Sequence, residues 1–127
     1  MTFRLRRSAH LLVAAAFGLG IAVPASAQDA ATIARLRAAA GAYTTCLTAT
    51  VQMGMTVKMD PDRFKDGFAK SCLQEEGVFR AEAIRAFVAQ GKSEVDAAVE
   101  VDGNIANGRR IYAADQESYI RTGRVPH

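Results

Sequence analysis

The sequence predicts an all-α fold: a small antiparallel bundle of three helices, or four if one of them divides, with one disulfide across a helical hairpin and a cleaved signal peptide in front. Three observations predict it. Apolar residues recur at alternating spacings of three and four, the signature of a helix face. Helix-start signals stand at the head of the second and third periodic segments, at Asp60-Pro61 and at Ser93. No stretch alternates apolar and polar residues as a strand would.

Residues 1–27 have the three parts of a secretory signal. Arg4, Arg6 and Arg7 make a positive start, Leu11 to Val23 is an uncharged apolar run, and Ala25-Ser26-Ala27 is a small-residue cleavage site. Cleavage is expected between Ala27 and Gln28. The apolar run is about 13 residues, short of the roughly 20 that span a bilayer, so no stable membrane span is expected after processing. The expected location is periplasmic or secreted. Removing those three arginines from the 16 basic residues leaves 13 against 13 acids. The basic balance of the whole chain is therefore no argument for nucleic-acid binding.

The remaining residues, 28–127, suit a single helical domain. In the first segment, expected as a helix over 29–56, Ile33, Leu36, Ala40, Tyr43, Leu47 and Val51 form the stripe. The second, 61–90, opens with Asp60 as cap and Pro61 at the first helical position. It carries Phe64, Phe68, Cys72, Phe79, Ala83 and Ala86 on one face, with Gly77 as a point where it could bend and Gly91 as a stop. The third, 93–122, opens with Ser93 and an acid three residues later, Asp96, as in a capping box. Its stretch 102–108 is rich in turn formers and could divide it.

Both cysteines lie in the domain, and an oxidising compartment favours their pairing. Cys46 and Cys72 are 26 residues apart with a midpoint at residue 59, where the turn is expected. Each then stands about 20 Å from the hairpin tip at 1.5 Å per residue, level with the other. Facing positions on packed helices reach bridging range. A redox-active pair would favour the Cys-x-x-Cys motif, which the sequence lacks.

The rest of the functional reading is mostly by exclusion. The two histidines are His10, in the expected signal, and His127, the last residue, so the rest of the domain has no internal histidine, which argues against histidine-based triads and the common zinc sites. No Gly-rich phosphate loop is present. Three residue groups remain. Met53, Met55 and Met59 are thioethers suited to Cu(I), and on a continuing helix Met55 and Met59 would share a face. Glu75 lies near the face of Phe68, Cys72 and Phe79 and is the best candidate for acid–base work in a small hydrolase. Arg109, Tyr112, Tyr119 and Arg121 offer a polar-aromatic contact surface. The reading these residues support first is a non-enzymatic accessory or interaction module without a cofactor, acting on an unidentified protein partner or on its own copies.

Overall fold

The computed structural model describes residues 25–125. Most of the expected signal peptide, residues 1–24, lies outside the described residues, as do Pro126 and His127. Four helices make up the fold: α1 (Ala25–Thr56), α2 (Pro61–Phe68), α3 (Leu73–Ala89) and α4 (Glu94–Thr122), with no strand among the described residues.

The start and stop signals act as their chemistry dictates. The Asp60 carboxylate accepts from the backbone N–H groups of Asp62 and Arg63, both at 3.1 Å, ahead of Pro61. Ser93 Oγ accepts from Asp96 N at 3.1 Å and donates to the Asp96 carboxylate at 2.7 Å. Gly91 and Gly123, at φ +96° and +69°, follow α3 and α4. The end of α1 reaches the same left-handed turn without glycine. Lys58 stands at φ +49°, and Met59 N reaches back to Gly54 O at 2.9 Å while Lys58 N bonds Met55 O at 3.1 Å. This is the Schellman pattern, with apolar Met59 packed beyond it.

One expectation about continuity is corrected, and one question the sequence leaves open is answered. The segment 61–90 is not one helix: it breaks at 69–72, between α2 and α3, while Gly77 sits inside an unbroken α3. The cause is tertiary. The Arg109 guanidinium, arriving from α4, donates to Phe68 O at 2.8 Å and Ser71 O at 2.6 Å, and Ser71 Oγ donates to Phe68 O at 2.8 Å. These bonds satisfy carbonyls that a continued helix would have used. Cys72 then caps α3 in the left-handed region, at φ +57°. The segment 93–122 does not divide at 102–108. Ala97, Val101 and Ile105 bury one face through that stretch, whereas Gly103, Asn104 and Asn107 lie on the open side. Burial of the stripe outweighs the poor helix propensity of the exposed residues.

The core has two parts joined by Phe79. Tyr43, Leu47, Val51, Phe64 and Phe68 fill the end nearest the α1–α2 turn, where the side chains are large. Ala83, Val101 and Ile105, with Leu36 and Phe87 against them, form the other part. There the buried residues of α1 and α3 are alanines, at 39, 83 and 86. Partners on α1 and α3 run in opposing order: Arg35 with Glu82, Tyr43 with Glu76, Cys46 with Cys72. The same holds for α3 and α4, where Glu76 meets Arg109 and Arg80 meets Asp102.

Candidate functional site

Cys46 and Cys72 form a disulfide, with Cα atoms 5.9 Å apart. The expected pair is right, but the route to it was partly wrong. Cys72 is not level with Cys46 on a continuous second arm. It is placed by the break ahead of α3, and the α2 segment packs mainly on α4.

Beside the bridge lies a polar brace that sequence reasoning missed. The Tyr43 hydroxyl donates to Glu76 Oε2 at 2.8 Å, and Arg109 Nε donates to the same oxygen at 2.5 Å. The guanidinium also sits over the rings of Tyr43 and Phe68, at 5.8 and 5.5 Å from their centroids. Burial, together with the hydrogen bond to Glu76, pushes the Tyr43 hydroxyl up to about 12. Arg109 was expected on a contact surface. Its donors are instead spent inside the molecule, because the Phe68 and Ser71 carbonyls and the Glu76 carboxylate face it. Gln116, fully buried on α4, donates from Nε2 to Met59 O at 2.8 Å and ties down the α1–α2 turn. A polar residue in an apolar stripe is the one local signal for such a tie.

The other sequence candidates are dispersed. Met53 and Met59 line one small cavity with Phe64 and Phe68, while Met55 lines a different one with Val51, Tyr112 and Asp115. The expected partnership of Met55 with Met59 is thus replaced by Met53 with Met59. The reason is that α1 ends at Thr56 and the Lys58 turn redirects the chain. Tyr112 packs half-buried on the core, Tyr119 is half-buried near the end of α4, and Arg121 is exposed. Glu75 is half-buried, and its carboxylate lies within 4.8 Å of both bridge sulfurs.

An apolar concavity lies at the alanine-rich end. Leu36 and Ala40 of α1, Phe79, Ala83, Ala86 and Phe87 of α3, and Val101 of α4 line a groove of about 300 Å³. Arg37, Gln90 and Asn104 stand at its edge. Its origin is steric: alanines at 40, 83 and 86 fill less of the space between the helices than the leucine and aromatics of the other end. The volume is at the lower end of the range for small-molecule clefts. Lined by side chains from three helices, with a cation and two amides at the margin, it can receive an apolar group with a polar or anionic edge.

Searches with this chain matched no family model, no curated protein and no solved structure.

Proposed function

We propose that this chain is an exported, non-enzymatic helical module that acts by contact, and that the groove between α1, α3 and α4 is where a protein partner seats an apolar helix face. The observation that carries the reading is the groove itself: apolar walls from Leu36, Phe79, Phe87 and Val101, edged by Arg37, Gln90 and Asn104. An amphipathic helix with an acidic residue beside its apolar stripe matches both chemistries. Export rests on the pattern of residues 1–27 and is favoured by the disulfide. The arrangement we infer is an antiparallel bundle, supported by the opposing order of the α1–α3 and α3–α4 partners.

A Cu(I) module built on Met53, Met55 and Met59 takes second place because those side chains are shared between two cavities. A hydrolase using Glu75 comes third. That carboxylate neighbours a closed disulfide, and among the described residues no second carboxylate or histidine clusters with it.

A photo-activated cross-linker replacing Ala40, irradiated in the producing cell, is expected to trap one defined protein through its helix. The same group replacing exposed Arg110 is expected to trap none. No product at position 40, or the same products at both positions, would overturn the reading. Intact mass tests export separately: the expected chain begins at Gln28 and is two hydrogens lighter than its reduced form. An unprocessed chain with free thiols would refute it.

A further inference from the structure

The sulfurs of Cys46 and Cys72 and a carboxylate oxygen of Glu75 all lie within 4.8 Å of one another. Glu75 and Glu76 are neighbours with different surroundings. Glu76 is consumed by Tyr43 and Arg109, while Glu75 has no hydrogen-bond or ion-pair partner among the described residues and faces the bridge. All three residues of the cluster are half-buried. We infer that, once the bridge is reduced, Cys46, Cys72 and Glu75 form a zinc site, so that disulfide and metal are alternative states of one position.

The scaffold meets the geometric demand. Zinc holds thiolates at about 2.3 Å and carboxylate oxygens at about 2.0–2.2 Å in a tetrahedron, which places ligand atoms roughly 3.5 Å apart. Starting within 4.8 Å, the carboxylate needs only a small movement, and the two sulfurs must separate. The backbone that carries them is held without the bridge: Tyr43 to Glu76 lies one turn away, and Arg35 pairs with Glu82 further along the same helices. Thr50 Oγ1, which donates to Cys46 O at 2.9 Å, lies 3.7 Å from Cys72 Sγ. Two sulfurs and one oxygen suit zinc better than Cu(I), which prefers sulfur alone, or calcium and magnesium, which prefer oxygen. Three protein ligands leave a fourth position for water.

The chemistry balances with an external dithiol as reductant. Its thiolate attacks one bridge sulfur, its second sulfur resolves the mixed disulfide, and it leaves as a disulfide. Two electrons and two protons have then passed to Cys46 and Cys72. Zinc binding releases those two thiol protons to water.

The test uses the purified protein reduced with a phosphine, which leaves as its oxide with oxygen from water, and Co²⁺ as a spectroscopic stand-in for Zn²⁺. The reduced protein is expected to bind one Co²⁺, with sulfur-to-cobalt charge-transfer absorption and the visible bands of a tetrahedral ion, both erased by Zn²⁺. The oxidised protein is expected to show neither. Glu75→Gln is expected to weaken binding at least about tenfold, while Glu94→Gln, at the exposed start of α4, leaves it unchanged. Absence of the cobalt signal in the reduced protein, the same signal in the oxidised protein, or affinity unmoved by Glu75→Gln would each overturn the assignment. If reduction alone unfolds the chain, zinc is expected to restore the helical circular dichroism of the wild type but not of Cys46→Ser; failure to restore it also overturns the assignment.

Discussion

Alanine in place of glycine should act with opposite sign at two positions of the same helix. Within a helix, Gly→Ala stabilises by about 1 kcal/mol through backbone entropy and propensity. At Gly41 a Cβ would meet nothing within 4 Å, so that gain should appear in full. At Gly54 a Cβ would stand 2.6 and 2.7 Å from Cδ2 and Cε2 of Phe64 and 3.4 Å from Gln116 Cγ. Carbon–carbon contacts are optimal at about 3.5–4.0 Å, so the ring is close by about 1 Å. On one side it is backed. Phe64 is 3% exposed and stacks on Phe68 at 5.2 Å between centroids, and Phe68 lies beneath the Arg109 guanidinium. Overpacking costs about 1–3 kcal/mol, and the backed ring argues for the upper half of that range. Gly54→Ala should thus lose about 1–2 kcal/mol net of the propensity gain. For a domain of this size each kcal/mol moves Tm by about 4–8 °C. Thermal melts by far-ultraviolet circular dichroism should therefore place Gly41→Ala above wild type and Gly54→Ala below it, at least about 8 °C apart. Adding Phe64→Leu to Gly54→Ala should return part of the loss as a coupling energy. A Gly54→Ala protein as stable as wild type would mean that α1 and α2 are not packed this closely, and the reasoning would fail.

Three further outcomes follow from the brace and the bridge. Arg109→Leu should cost about 3 kcal/mol in denaturant melts, because two carbonyls and the Glu76 carboxylate lose their donor together; pairing it with Glu76→Leu should cost less than the sum of the single changes. Tyr43 is held neutral up to about pH 12, above its ordinary value of 10.0. Stability from this group is whole below about pH 10 and falls as the pH rises toward 12, by on the order of 2 kcal/mol, a fall that equilibrium melts should show and that Tyr43→Phe should abolish. Cys46→Ser should lower stability by about 3.5 kcal/mol on a chain-entropy estimate for a 26-residue separation, read from the same melts.

The helices were legible because their signals are local. Periodicity marks the faces, and Asp60, Ser93, Gly91 and Gly123 mark ends through their own backbone chemistry. The break ahead of α3 was not legible. Phe64, Phe68, Cys72 and Phe79 keep helical spacing across it, and no Gly or Pro stands at 69–72. What ends α2 is Arg109, 41 residues beyond Phe68, and nothing in the local sequence announces it. Gly77 misled for the converse reason: it faces open space, where a glycine weakens a helix without breaking it. The bridge was found because the expected compartment favours pairing and the sequence holds two cysteines to pair, although the level arms expected from their spacing are absent. The groove was invisible, since Leu36 and Phe79 read as ordinary stripe residues. Only the assembled helices show that the alanines among them leave a gap.

A chain is made from its N-terminus, and the ties described above become available at different times. Cys46 and Cys72 need only residues up to the first turn of α3, whereas Glu76 waits for Arg109, 33 positions later, and Met59 O waits for Gln116, 57 positions later. The covalent link therefore needs no residue of α4. Once it closes, α1 and α3 search for each other as a tethered pair. Until α4 arrives, however, the apolar faces it would cover stay open to solvent, and Glu76 has Tyr43 but not Arg109. Removing the last helix should therefore be felt first as aggregation, through the apolar faces it leaves uncovered.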